Sequence, residues 1–140
     1  MPNYKSVLIV DDDSIALMLS ERLIHIAGFA EKSISFDSAL KALKWITDNF
    51  KDKIVLPDII LVDLHMPEMD GFTFLQKIEE MFSPGNAPDV FVLSSTVYID
   101  DKKKLNQFSF VKKIIMKPLT IADFGTGEES THHKNIYAPL

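Results

Sequence analysis

Apolar residues fall along this chain in short unbroken runs separated by longer stretches of helical spacing. The runs are Ser6-Val7-Leu8-Ile9-Val10, Ile59-Ile60-Leu61-Val62, Val90-Phe91-Val92-Leu93 and Ile114-Ile115-Met116. Each is too short for a helix and is bounded by polar or turn residues, so each predicts a buried strand. Ile34 and Phe36 alternate with Ser33 and Ser35, which predicts a further, half-polar strand. Between the runs, Ile15, Met18, Leu19, Leu23 and Ile26 recur at helical spacing and predict the inner face of a first helix. Leu40, Leu43, Ile46 and Phe50 do the same for a second, and Phe72, Leu75, Ile78 and Phe82 for a third. Residues 100–108 form a weaker candidate, rich in lysine, with Leu105 and Phe108 on one side. Asp13 or Ser14 can cap the first helix and Gly28 can end it; Asp37 and Ser38 can cap the second. Five strands alternating with helices imply parallel βα units, hence an α/β fold with a doubly wound parallel sheet.

The rhythm breaks after Pro118. Residues 119–124 allow one or two helical turns. Gly125 and Gly127 then oppose a helix by about 2 kcal/mol together relative to alanine. Residues 128–140 are polar, and little regular structure is expected there.

Composition narrows the class without naming it. A chain of 140 residues predicts one domain, and 46% apolar with 25% charged residues is ordinary for a soluble globular protein. The net charge of −5 argues against a nucleic-acid partner. The absence of cysteine excludes disulfides and thiolate metal sites. No apolar run approaches the ~20 residues that span a bilayer, and the N-terminus lacks a signal-peptide core. A cytoplasmic protein without a membrane partner is the default expectation.

Chemistry gathers at the strand ends. The first strand is followed by Asp11 and Asp12, the middle one ends at Asp63, the fourth runs into Ser94, and the last is followed by Lys117. In a parallel sheet these ends share one edge, where open α/β sheets place their ligand crevice. Three carboxylates in one crevice repel one another and need compensation. A divalent cation with oxygen ligands, such as Mg²⁺, suits them, and Lys117 adds a fixed positive charge. Asp63 is the best candidate nucleophile, because a carboxylate can attack phosphorus and form an aspartyl phosphate. Asp13 reads as a cap, and His65 as a loop histidine beside the site. His132 and His133 read as a solvated pair, and Lys102, Lys103 and Lys104 as a wet helix face.

The set Asp11-Asp12, Asp63, Ser94 and Lys117-Pro118 resembles the receiver domain of two-component response regulators. So does the turn Met66-Pro67, Met69-Asp70-Gly71 that follows Asp63. The resemblance implies a flavodoxin-like sheet of five strands in the order 2-1-3-4-5, with the receiver over residues 1–118 and a tail over 119–140. It implies that Asp63 accepts a phosphoryl group from a phosphohistidine on a sensor histidine kinase or a histidine phosphotransfer protein. Asp12 would bind Mg²⁺ directly and Asp11 through water. Asp63 and the backbone carbonyl of His65 would complete the metal site. Ser94 and Lys117 would contact the phosphoryl oxygens, and a downstream target protein would read the surface around the last two strands. A second copy of the chain is a further candidate partner.

Two departures from the family stand out. The strand-five position that usually carries an aromatic switch residue is Ile114, with Phe110 as a substitute only if the register slips. The fifth helix is short or absent, which is expected to leave apolar sheet surface for the tail or a partner chain to cover. No output domain is expected after residue 118, so the protein reads as a stand-alone receiver, not an enzyme in its own right. The alternatives are a haloacid-dehalogenase-like phosphatase using Asp11 as nucleophile, and a receiver-fold interaction module that works without phosphate.

Overall fold

The structure is a computed structural model that describes residues 4–52, 54–96 and 99–125. The polar stretch at 128–140, with its His pair, lies outside the described residues. Strands β1 (Tyr4–Val10), β2 (Ala30–Phe36), β3 (Ile59–Asp63), β4 (Asp89–Ser94) and β5 (Val111–Met116) pair in parallel in the order β2-β1-β3-β4-β5. Helices α1 (Ser14–Ala27), α2 (Ala39–Asp48), α3 (Gly71–Met81) and α4 (Ile99–Leu105) connect them. Strand residues alternate between two faces. Leu8, Val10, Ile60, Val62 and Val92 join the core beneath α2, α3 and α4. Val7, Ile9, Leu61 and Leu93 join the core beneath α1. Every residue of β3 is buried, as a central parallel strand covered on both faces requires.

The caps follow local chemistry. Asp13 accepts from the Ile15 amide at 3.0 Å, and Gly28 ends α1 in the left-handed region at φ 63°. Ser38, rather than Asp37, caps α2. Asp70 caps α3 through the Thr73 amide at 2.9 Å.

Of the predicted inner face of α1, only Leu23 packs against the core. Ile15, Met18, Leu19 and Ile26 are exposed, Ile15 to 71%, while Ser20 and Ile24 are buried and Leu17, Leu23 and Ala27 pack against the core. Apolar residues occur nearly all round this helix, so spacing alone admits two stripes. The sheet selects one. A smaller shift occurs in α2, where Leu40 is 46% exposed and Ala39, Ala42 and Ile46 are buried. In α3, Phe74 joins Leu75 and Ile78 inside, while Phe72 and Phe82 are half-buried.

Among the described residues, no fifth helix follows β5. A single 3-10 turn at Ile121–Phe124 takes its place, and Asp123 Oδ2 accepts from the Thr120 amide at 2.7 Å. Among the described residues, the first part of the tail covers apolar sheet surface beside α1. Phe124 is fully buried and stacks edge-on to Phe29 at 5.2 Å, and Phe91, Ile115 and Leu119 are buried in the same cluster. Leu119 and Phe124 of the tail are both part of that cluster.

Ser20 Oγ is buried without a hydrogen-bond partner among the described residues. An unsatisfied buried hydroxyl destabilises, and alanine is also the better helix former. Ser20→Ala is therefore expected to raise stability by about 1 kcal/mol, read from urea unfolding midpoints.

Candidate functional site

The strand order reverses between β1 and β3, where the chain departs to opposite sides of the sheet. This switch point is where a parallel sheet opens a crevice. Val10 pairs with Val62, so Asp11, the next residue after β1, and Asp63, the last of β3, meet there. Oxygens of Asp11, Asp12 and Asp63 all lie within 4.8 Å of one another. Asp11 is fully buried; Asp12 is exposed; Asp63 is 7% exposed.

Lys117 reaches the site from the end of β5, two strands away from β3. Its Nζ lies 2.8 Å from Asp11 Oδ2 and 3.6 Å from Asp63 Oδ2. Its amide donates to the Ser94 carbonyl at 2.9 Å, and the Lys117-Pro118 peptide is cis. Burial lowers the ammonium pKa, but the bond to Asp11 and the charges of Asp63 and Asp11 outweigh it and raise the value overall. The other oxygen of Asp11 accepts from the Asp13 amide at 3.0 Å. Asp11 is thus held on both sides, which favours it as a fixed charge over a nucleophile.

Ser94 is buried at the end of β4. Its hydroxyl donates to the Thr96 carbonyl and accepts from the Thr96 amide at 3.2 Å, so it is engaged within its own loop. His65 has an exposed side chain, and its backbone amide bonds the Asp63 carboxylate. Ile114 is buried in the core opposite Val92. The register of β4 and β5 does shift, between Val90 and Phe91, but Phe110 stays ahead of β5 and packs on Phe108 at 5.6 Å. It does not take the position of Ile114.

Burial raises the Asp63 pKa to about 6. Lys117 opposes the rise, Asp11 adds to it, the His65 amide opposes it, and Asp12 adds to it. Three carboxylates share the crevice with one ammonium, that of Lys117. An all-oxygen donor set of this kind fits a hard dication such as Mg²⁺.

The sign of the pH dependence follows. Between about pH 4 and pH 6 the folded state holds a proton on Asp63 that the unfolded state has lost, so stability falls as pH rises through this window. The loss is on the order of 3 kcal/mol. In chelator, urea unfolding is expected to show Asp63→Asn gaining about that much over the wild type between pH 4 and pH 7. A constant difference would refute the assignment.

In the sequence, Gly71 closes the turn that follows Asp63. The structure gives it a larger part: a Cβ there would meet the Asp63 carbonyl oxygen and Leu64 Cα, both at 2.9 Å. Its amide donates to the Leu64 carbonyl at 2.8 Å. Gly71 thereby brings the start of α3 against the turn that carries Asp63. A glycine one residue past a ready N-cap, where no turn needs it, is the signal that marks such a close approach.

Five parallel strands in this order, with acids at the switch point, define a flavodoxin-like receiver fold. The sequence matches the response regulator receiver domain over residues 7–125, and the chain belongs to that family. It is 36% identical over 96 residues to the transcriptional regulatory protein PrrA of Mycobacterium tuberculosis, covering 69% of this chain and 36% of that protein. It is 30% identical over 122 residues to the two-component response regulator ARR3 of Arabidopsis thaliana, covering 84% and 51%. A crystal structure of a two-component response regulator from Cytophaga hutchinsonii aligns with a TM-score of 0.76 at 28% identity, covering 84% of this chain and 89% of that one. The chain therefore spans about a third to a half of the length of these two curated relatives. No helix among the described residues is long and apolar enough to cross a membrane.

Proposed function

We propose that Asp63 is the phosphoacceptor of a His-Asp phosphorelay. The observation that supports this most is the meeting of Asp63 with Asp11, Asp12 and Lys117 at the switch point of the sheet. A carboxylate oxygen of Asp63 attacks phosphorus; the new O–P bond forms as the P–N bond to the donor imidazole breaks, and the imidazole leaves with a proton. Such a transfer asks the protein for alignment and for positive charge near the phosphoryl oxygens. Lys117, 3.6 Å from Asp63, offers that charge. Asp11, Asp12, Asp63 and the carbonyl of His65 would hold Mg²⁺, which when bound neutralises phosphoryl oxygens. Ser94 would exchange its bond to the Thr96 carbonyl for one to the phosphoryl group, drawing in the loop after β4. That exchange biases a two-state loop, which a downstream protein then reads around β4 and β5.

The donor histidine belongs to a sensor kinase or a phosphotransfer protein. The exposed Ile15, Met18 and Leu19 of α1 stand within two turns of the Asp13 cap, beside the acidic pair, and suit the apolar face of a partner helix. The domain assists its own phosphorylation and dephosphorylation and turns over no separate substrate.

The test is to treat the protein with acetyl phosphate and Mg²⁺, reduce the acyl phosphate with borohydride, and map the modified residue. Modification at Asp63 is expected. Modification at Asp11 with steady turnover supports a phosphatase instead. No modification, together with no Mg²⁺ binding in the millimolar range, supports an interaction module that works without phosphate.

A further inference from the structure

The edge of the sheet opposite Asp63 carries a second feature. A cavity of about 750 Å³ opens there, between the start of β1, the connection from α2 to β3 and the connection from α3 to β4. That volume lies within the range of small-molecule sites, roughly 300–1,000 Å³. Phe50 and Phe82 form part of its wall as a tilted pair, ring centres 5.1 Å apart, next to Met81. Its polar lining is Tyr4, Asp58, Ser83, Asn86 and Asp89, with the two aspartates as its charged groups. The Tyr4 hydroxyl donates to Asp89 Oδ2 at 3.2 Å, and Asp58 accepts from the Ser6 and Lys5 amides at 2.8 and 3.0 Å. These bonds fix both carboxylates at the mouth.

Neither Asp58 nor Asp89 forms an ion pair with a lysine or arginine among the described residues. The rim is therefore negative above an apolar, aromatic wall. The Tyr4 phenol registers that field: burial, then the charge and hydrogen bond of Asp89, then the charge of Asp58, push its pKa up to about 12.

We propose that this cavity is a binding site for a small aromatic molecule bearing a protonated amine. The aromatic body packs against Phe50, Phe82 and Met81. The ammonium pairs with Asp89 and Asp58 and lies close to the Tyr4 ring, which also favours a cation. An anionic ligand of the same shape meets the same walls with the wrong charge. The site lies at the other end of the strands from Asp63, and it stands whether or not Asp63 carries phosphate.

The experiment titrates the full chain with tryptamine, tryptophol and indoleacetate, a cation, a neutral analogue and an anion on one ring system, and follows backbone amide NMR shifts. Tryptamine is expected to shift the amides of Tyr4, Phe50, Phe82 and Asp89 saturably, with a Kd of about one millimolar or tighter. Tryptophol is expected to bind about fivefold more weakly, the size of a part-exposed ion pair, and indoleacetate more weakly still. Asp89→Asn is expected to bring tryptamine down toward tryptophol and to leave tryptophol unchanged. Equal affinity for all three ligands, shifts confined to the Asp63 edge, or no saturation by about 10 mM each overturns the proposal. The ligand series decides the matter even if Asp89→Asn folds poorly.

Discussion

Replacing Gly71 with alanine is expected to destabilise the domain by about 3 kcal/mol, at the upper end of the usual cost of overpacking. The added methyl meets two backbone atoms at 2.9 Å, the Asp63 carbonyl oxygen and Leu64 Cα. Neither belongs to a flexible side chain that could swing aside. The gain of about 1 kcal/mol that alanine brings inside a helix does not offset this. Either α3 moves back or the turn after Asp63 moves forward. In the second case the carboxylate leaves its place beside Asp11 and Lys117, and phosphorylation by acetyl phosphate slows as well. Urea unfolding measures the first effect and the labelling rate the second. A loss under about 1 kcal/mol would mean that the turn relaxes freely and does not position Asp63.

Lys117→Met is expected to cost about 3 kcal/mol in the presence of chelator. The ammonium pairs with a fully buried carboxylate, Asp11, at 2.8 Å, and approaches Asp63 at 3.6 Å. Methionine keeps much of the packing volume and removes the charge. Three carboxylates are then left together without a cation, and an uncompensated buried charge is the costly outcome of breaking such a pair. Millimolar Mg²⁺ is expected to restore much of the loss, since a dication supplies the missing charge, and by linkage the variant should depend more steeply on Mg²⁺ than the wild type. On the proposed role of Asp63, its phosphorylation is expected to remain impaired, because the dication does not take the place of the ammonium proposed to contact the phosphoryl group. Equal Mg²⁺ dependence in both proteins would show that Lys117 and the acids are not coupled.

Much of the fold was legible because it repeats a strong local pattern. The buried runs at Val7–Val10, Ile59–Val62 and Val90–Leu93 are each bounded by polar residues, and each became a strand. The acids and the lysine were legible because each directly follows, or ends, such a run. Helix faces were harder. In α1, Ile15, Met18, Leu19, Leu23 and Ile26 make as good an apolar stripe as Leu17, Ser20, Leu23, Ile24 and Ala27; the two share Leu23, and only the second faces the sheet. A buried serine in the chosen stripe runs against any hydrophobicity rule. Gly71 was visible as a breaker, but its contact with Asp63 and Leu64 needs the α3 start and the β3 end in one frame.

What the amino-acid sequence determined by itself was the alternation of elements, the caps at Asp13 and Gly28, and which chemical groups stand at strand ends. These depend on neighbours a few residues apart, where backbone geometry and burial period act directly. Only the tertiary structure decided that Lys117 rests on Asp11, 106 residues earlier in the chain, and not on Asp63 first. It also decided that Ser94 turns to Thr96, and that Phe124 of the tail is buried against Phe29. Those outcomes turn on distances of a few ångströms between segments far apart in the chain, set by how the layers pack, and no local period encodes them.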